Sequence, residues 1–204
     1  MIYDKDGLTI IDNYLPEEVF KQIRYDILDP NKPQHVHVDW NIAGILSNSK
    51  KPSNFQFTNT CYIDLKYPNK TPGIVDGKCF KYLLPLLKFI NPYILLRVKT
   101  NVTTLQPVKD IKQRYFHLDV EDDVLHKGMT AIYYLNTTDG PTVFEDPNIE
   151  DVRCVENRIM VFPNHWRHSI QKHTDKIYRS VVNINWIDKE KEQRYSHERK
   201  TRKT

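Results

Sequence analysis

The residues best suited to chemistry stand in the segment "RYFHLDV", where one residue separates His117 from Asp119. Side chains two positions apart on a β-strand point to the same face, so these two groups would project together. An ionised carboxylate is costly in an apolar interior unless it is paired or binds a metal. A neutral imidazole nitrogen is a suitable second ligand. The segment therefore predicts two ligands of a metal site.

A third ligand would come from "FPNHWRHSIQKH", which holds His165, His168 and His173. We favour His168, because it opens an alternating segment after the "FPN" turn and its side chain can point inward. His165 lies in the turn itself and His173 lies close to the next turn, and both stay as alternatives. Two histidines and one carboxylate on one face of the metal, with open positions opposite, are typical of non-haem Fe(II) oxygenases. A second His-x-Asp pair, His37 and Asp39, precedes most of the predicted strands, and we interpret it as a chance match.

The segment "IYRSVVNINWI" predicts a strand on which Arg179 and Asn183 share one face. A buried guanidinium needs an anionic partner, because an unpaired charge in the interior is costly. That partner is either a core carboxylate or the carboxylate of a ligand held through two hydrogen bonds. Two features favour the ligand: Arg179 follows His168 closely, and Tyr134 of "AIYYLN" could point inward beside it.

The elements that position these residues change along the chain. "LTIIDNYL" predicts a short strand, "PEEVFKQIRYDIL" an amphipathic helix with Pro16 at its start, and "CFKYLLPLLKFI" a helix that starts or kinks at Pro85. Residues 30–78 predict short strands and long loops. From Tyr93 onward, short β-branched and aromatic segments alternate with turn signals. We therefore predict a mainly β fold with flanking helices and a double-stranded β-helix core, also described as a jelly roll or cupin-like barrel.

The size of the chain suits one domain of 204 residues. We divide it into an N-terminal helical and loop part (1–92), the jelly-roll core (93–187) and a basic tail (188–204). Residues 189–204 of this tail carry seven Lys and Arg against three Glu, which accounts for the whole net charge of +4. We interpret the tail as a solvated end rather than a nucleic-acid site.

The composition excludes several other classes of protein. Three widely separated cysteines argue against a disulfide framework and against a thiolate zinc site. No apolar run is long enough to span a bilayer, and the N-terminus has no secretory signal pattern. We therefore expect a cytoplasmic protein without membrane or nucleic-acid partners.

The ordered set of segments resembles the Fe(II)/2-oxoglutarate-dependent dioxygenases, and most closely their prolyl 4-hydroxylase-like branch. Across residues 93–187, the family order is followed by "HLD", "AIYYLN", "DGPTVFED", "ENRIMVFPN", "RHS" and "YRSVVNINW". The chain has Asp139–Gly140 where many relatives have Gly-Gly, and Arg179 where many prolyl hydroxylases have Lys. The resemblance therefore does not make proline the substrate.

The resemblance implies a role for each candidate. His117, Asp119 and His168 would bind Fe(II), while Arg179 and Tyr134 would hold the distal carboxylate of 2-oxoglutarate, with help from Asn183. O2 would be the second co-substrate, and ascorbate is a candidate reductant. The implied reaction hydroxylates a C–H bond of a peptidyl residue or small molecule and releases succinate and CO2. A non-catalytic jelly-roll binding module, or another cupin-type metal enzyme, is the alternative.

The substrate is less well defined than the reaction. Arg97, Lys99 and Asn101 alternate on one face of "LLRVKTN", which is either a solvated face or a wall of the pocket. Together with Trp40, these residues are the substrate candidates. The composition, rich in Lys and Asn and poor in Gly, resembles that of small phage-encoded oxygenases, which would place the protein in the host cytoplasm.

Overall fold

The computed structural model describes residues 2–5, 7–33, 37–44, 55–64, 73–105, 114–120 and 126–189. This part of the chain contains the helices α1 (Glu17–Leu28) and α2 (Gly77–Ile90). Its strands are β1 (Ile2–Lys5), β2 (Leu8–Ile11), β3 (Asn41–Gly44), β4 (Phe55–Ile63), β5 (Gly73–Ile74), β6 (Ile94–Thr104), β7 (Gly128–Tyr134), β8 (Thr138–Phe144), β9 (Val152–Cys154), β10 (Ile159–Pro163), β11 (His168–Ile170) and β12 (Tyr178–Ile187).

The strands form two antiparallel sheets. The larger sheet has the order β1-β2-β10-β7-β12-β6-β4-β3, and β5 pairs with β4 beside it. The smaller sheet has the order β11-β8-β9, and a single bridge between His117 and His168 adds His117 beside β11. The prediction of a mainly β jelly roll with flanking helices is confirmed. Residues 1–92 contribute β1–β5 to the larger sheet as well as both helices.

One face of the larger sheet packs against the helices. The helix α1 buries Phe20, Ile23 and Ile27, and α2 buries Leu83, Leu86 and Leu87. These side chains form one core cluster with inward residues of the sheet, among them Tyr133, Val182 and Ile184. Because side chains alternate along a strand, the neighbouring residues of β12 point away from the helices, toward the smaller sheet. The functional residues lie on that second face.

The helix α2 does not start at Pro85, which was one of the two outcomes that the sequence predicted. It begins at Gly77, well before the proline, and continues through it to Ile90. The Asp76 side chain caps the start by accepting hydrogen bonds from the backbone N–H groups of Lys78 and Cys79. Pro85 is exposed, so water can bind the carbonyl that the missing N–H leaves without a partner. A proline is therefore tolerated inside this helix.

The cysteines and the chain ends bear on the predicted class of protein. Cys61, Cys79 and Cys154 are buried and free, as the sequence predicted. A hydrogen bond with Cys79, together with burial, raises the pKa of the Cys61 thiol. Neither helix in the described ranges has the length and apolar character needed to cross a membrane. The basic tail from residue 190 onward lies outside the described residues.

Candidate active site

Backbone pairing brings the two predicted histidine ligands together. The N–H of His117 donates to the carbonyl of His168 (3.0 Å), and the N–H of His168 donates to the carbonyl of His117 (3.1 Å). The two imidazole rings consequently lie side by side, with centroids 4.7 Å apart. Asp119 completes the group, and one ligand atom from each of the three residues lies within 4.8 Å of the others. Residues far apart in sequence thus form one cluster through a single strand bridge.

In both histidines, a backbone carbonyl oxygen fixes the ring nitrogen Nδ1. Nδ1 of His117 lies 3.2 Å from the carbonyl oxygen of Tyr115, and Nδ1 of His168 lies 3.2 Å from that of Trp166. A carbonyl can only accept, so each Nδ1 is the donor and each Nε2 keeps a lone pair. These Nε2 atoms lie 3.8 Å and 3.9 Å from the carboxylate oxygens of Asp119. Two ligands about 2.1 Å from one ion are at most about 4.2 Å apart, so the spacing between each imidazole and the carboxylate fits a divalent metal.

The protonation states also fit a metal. Burial lowers the pKa of His168 to about 4, so this ring is neutral at physiological pH. Burial alone would raise the pKa of Asp119, but the charge of Arg97, joined in acid by those of protonated His168 and His117, outweighs it and holds the pKa below the ordinary value. Metal ligands must be deprotonated before they bind. Asp119 and His168 already have the form that a metal needs.

Arg179 forms the second part of the site. It is only 4% exposed, and its guanidinium donates to the carbonyl of Gly140 (3.1 Å) and to Oγ1 of Thr142 (3.0 Å). It also lies over the ring of Tyr134, with Cζ 5.4 Å from the centroid. Among the described residues, the structure records no carboxylate oxygen within 4.0 Å of this guanidinium. A buried cation in this state is suited to bind an anionic ligand.

Thr142 is a site residue that the sequence analysis missed. It lines the cavity, accepts a hydrogen bond from Arg179 and exchanges another with the hydroxyl of Tyr134 (2.9 Å). Burial raises the pKa of Tyr134 to about 12, which keeps the phenol neutral. The alternation of Gly140 and Thr142 in "DGPTVFED" placed both on one face, but only the packing of the two sheets puts that face beside Arg179.

Asn183 lies at the metal end of the site. Its Nδ2 is 3.4 Å from Oδ2 of Asp119, and its own Oδ1 is buried without a hydrogen-bond partner. The structure thus places Asn183 next to the carboxylate rather than in the group around Arg179. Its predicted contribution to 2-oxoglutarate binding stays a prediction.

A cavity of about 560 Å³ between the two sheets contains both groups. Arg97, Lys99 and Asn101 all line it, together with Gln56 of β4. The sequence left this face of β6 either solvated or in the pocket, and the structure places it in the pocket. Arg97 also contacts Asp119, with Nη2 2.7 Å from Oδ1.

Trp40, the fourth substrate candidate, lies elsewhere. It packs against the core cluster and lines a separate, mainly apolar pocket with Ile27, Phe57 and Val102. Val102 alternates with Asn101 along β6, so this pocket lies on the opposite face of the larger sheet. Trp40 is therefore not part of the cavity wall, and the sequence could not reveal this because the choice of face depends on strand pairing.

The other histidine candidates lie outside the cluster. His165 is exposed in the turn, with its ring centroid 5.4 Å from that of His126, while His173 is buried away from the triad. His37 contacts the carbonyl of Lys32 at 2.7 Å. In the described part of the chain, the group able to hold a metal is His117, Asp119 and His168.

Comparisons with known proteins agree with this architecture. A scan against protein-family models and a search of curated sequences found no match. A 2OG-Fe(II) oxygenase family oxidoreductase from Burkholderia pseudomallei superposes with a TM-score of 0.64 at 12% identity, covering 88% of this chain and 85% of that one. A Trichoplax adhaerens prolyl hydroxylase, in complex with a hypoxia-inducible factor peptide, gives 0.59 at 13% identity over 92% and 86%. The chain has the fold of the 2OG-Fe(II) oxygenases.

Structures with the oxygenase fold hold different ligands. HygX from Streptomyces hygroscopicus, with nickel and 2-oxoglutarate bound, superposes with a TM-score of 0.56 at 13% identity, covering 90% of this chain and 83% of that one. A second HygX structure also contains hygromycin B. The fold accommodates a peptide in one neighbour and a small molecule in another, so the fold alone does not select the substrate.

Proposed function

We propose that this chain is an Fe(II)- and 2-oxoglutarate-dependent dioxygenase that hydroxylates a C–H bond and releases succinate and CO2. One observation carries the proposal: a His-Asp-His cluster and a buried guanidinium with no neighbouring carboxylate, among the described residues, share one cavity. A metal cluster alone would suit many reactions. The added anion site favours a co-substrate that bears a carboxylate at its far end.

Each group of residues has a separate task in this proposal. His117, Asp119 and His168 hold the iron, which supplies the activation of O2 when it is bound. Arg179 binds the distal carboxylate of 2-oxoglutarate, and the hydroxyl groups of Tyr134 and Thr142 lie beside that guanidinium. The cavity lies between the two sheets, where Asp119 and His168 are buried and His117 is partly exposed.

The substrate in this proposal is a peptidyl residue or a small molecule. The cavity volume of about 560 Å³ is within the usual range for small-molecule sites. Lys99, Asn101 and Gln56 give its wall a polar character, while Phe116 and Leu118 add apolar surface. We therefore expect a substrate with polar groups around the oxidised carbon.

The test begins with a spectroscopic step without oxygen and ends with the addition of O2. Adding Fe(II) and then 2-oxoglutarate to the protein should produce a visible charge-transfer band, and admitting O2 should then release succinate. We expect both signals to disappear in Asp119→Ala and in His117→Ala, because each variant removes a ligand. His165→Ala is the matched control, since it removes an exposed histidine close to His168 in sequence, and it should behave like the wild type.

Two results would contradict the proposal. Full succinate release by Asp119→Ala would exclude this carboxylate as an iron ligand. No band in the wild type with both additions would favour a jelly-roll binding module or another cupin-type metal enzyme.

A further inference from the structure

Arg97 forms an ion pair with the carboxylate of the metal cluster. Its Nη2 lies 2.7 Å from Oδ1 of Asp119, and the two side chains are only 12% and 5% exposed. The sequence made Arg97 a substrate candidate because of its position on β6. In the structure, its guanidinium instead pairs with Asp119, which is also a proposed iron ligand.

The guanidinium is held from behind by a row of polar side chains. Its Nε donates to Oδ1 of Asn185 (3.0 Å), whose Nδ2 donates to Oγ1 of Thr130 (2.9 Å). Thr130 in turn donates to Oδ1 of Asn164 (2.6 Å). Arg97, Asn185 and Thr130 are direct partners across β6, β12 and β7. This row crosses the sheet and fixes the position of Arg97.

The two oxygens of Asp119 have different surroundings. Oδ1 accepts the short contact from Arg97, whereas Oδ2 has only long contacts with Asn183 (3.4 Å) and Asn185 (3.5 Å). Each oxygen also faces one imidazole: Oδ1 lies 3.8 Å from Nε2 of His117, and Oδ2 lies 3.9 Å from Nε2 of His168. One oxygen is therefore strongly engaged and the other is only weakly bonded.

We propose that Arg97 is a positioning residue for the metal-binding carboxylate. It compensates the buried charge of Asp119 before the metal arrives, and its short contact with Oδ1 holds the carboxylate between the two imidazoles. This proposal rests on the proposed function, because it requires that Asp119 binds the metal. A buried carboxylate deprived of its cation is strongly destabilising, so the metal-free protein depends on Arg97 more than the metal-bound protein does.

The main test compares thermal unfolding of Arg97→Gln with and without Ni²⁺. Without metal, we expect the Tm to fall on the order of 10 °C, because Asp119 keeps a buried, uncompensated charge. Ni²⁺ should then raise the Tm more than it does in the wild type, since the ion takes over the compensation. By linkage, calorimetric titration should show that Ni²⁺ binds the variant more tightly.

Arg24→Gln is the matched control. It removes an arginine from an ion pair with Glu156 of similar length, 2.9 Å, but both of these side chains are about half exposed. Exposed pairs contribute little to stability, so the Tm should change by at most about 4 °C and the effect of Ni²⁺ should equal that in the wild type.

A second variant separates charge from packing. Arg97→Lys keeps the cation but loses the fork that joins Asp119 to Asn185. We expect its metal-free Tm to lie between those of the wild type and Arg97→Gln. If Arg97→Gln does not fold, this variant carries the test, and its expected response to Ni²⁺ is close to that of the wild type. If the metal-free Tm of Arg97→Lys is as low as that of Arg97→Gln, or if neither variant folds, the role of the charge at residue 97 is excluded.

The outcomes distinguish this inference from the proposed function. If Ni²⁺ does not stabilise the wild type, the metal site itself is wrong and both proposals fall. If Ni²⁺ stabilises the wild type and Arg97→Gln behaves like Arg24→Gln, only the role of Arg97 is excluded.

Discussion

At the scale of single residues, Asp119 and Arg179 are both buried charges, but their surroundings differ. Asp119 has Arg97 and two imidazoles around it. Arg179 has a backbone carbonyl and a hydroxyl group, but no carboxylate among the described residues within ion-pair distance. The first charge is compensated inside the protein, whereas the second has no ion-pair partner among the described residues. In the proposed function, the two residues therefore mark the two ends of the ligand-binding region.

Removing the guanidinium should weaken co-substrate binding strongly. We expect Arg179→Ala to raise the concentration of 2-oxoglutarate needed for half-maximal charge-transfer absorbance by about 100-fold or more, because a buried charged contact is lost. Arg179→Lys, which keeps the charge but not the fork, should show a smaller increase. An unchanged half-maximal concentration in Arg179→Ala would exclude this residue from 2-oxoglutarate binding.

At the scale of elements, the smaller sheet depends on a close approach at Gly140. A Cβ atom on this residue would lie 2.7 Å from the carbonyl oxygen of Gln171 and 2.9 Å from the backbone nitrogen of His173. The carbonyl of Gly140 also accepts the hydrogen bond from Arg179. The glycine thus lets β8 approach the segment after β11 while it supports the anion site.

A methyl group at this position should disturb both stability and binding. We expect Gly140→Ala to lower the free energy of unfolding by about 1–3 kcal/mol, because the added carbon meets backbone atoms that cannot easily move. The 2-oxoglutarate requirement should rise as well, since Arg179 loses an aligned acceptor. Urea unfolding and titration of the charge-transfer band measure the two effects.

Gly77 provides the comparison for this prediction. A Cβ atom there has nothing within 4 Å, and the residue is the first of α2. Gly77→Ala should therefore leave the stability unchanged or raise it slightly. Equal effects of the two substitutions would contradict the steric role of Gly140.

At the scale of the whole molecule, buried histidines make the metal-free protein sensitive to acid. Burial lowers the pKa of His168 to about 4 and also lowers that of His173. In the unfolded chain a histidine has a pKa of about 6.5. The unfolded state therefore binds more protons between pH 6.5 and pH 4, and the folded state loses stability as the pH falls through this range.

The expected loss has a definite size and direction. For His168 alone it amounts to about 3 kcal/mol between pH 6.5 and pH 4. Urea unfolding of the metal-free protein at several pH values measures it, with chelator present. His165→Ala should show the same pH dependence as the wild type, because that side chain is exposed. A stability that stays constant down to pH 4 would contradict the buried neutral state of His168.

Local patterns determined which chemical groups the protein uses. The spacing of His117 and Asp119 in "YFHLDV" predicted that the two side chains lie together, although the structure has a single bridge at His117 and a bend at Asp119 instead of a strand. The order of the later segments identified His168 and Arg179. Helix α1 followed from its amphipathic spacing, and the jelly roll followed from the series of short strands. These features depend on side-chain direction along one element, which the sequence encodes through its period.

Only the tertiary structure decided which of these groups meet. Arg97 pairs with Asp119, Thr142 joins Arg179 to Tyr134, and Trp40 lies behind the larger sheet. Each of these facts depends on the order and register of strands far apart in sequence. A shift of one residue in register would turn the same side chains to the opposite face. The sequence determined the chemical groups, and the pairing of the strands determined their partners.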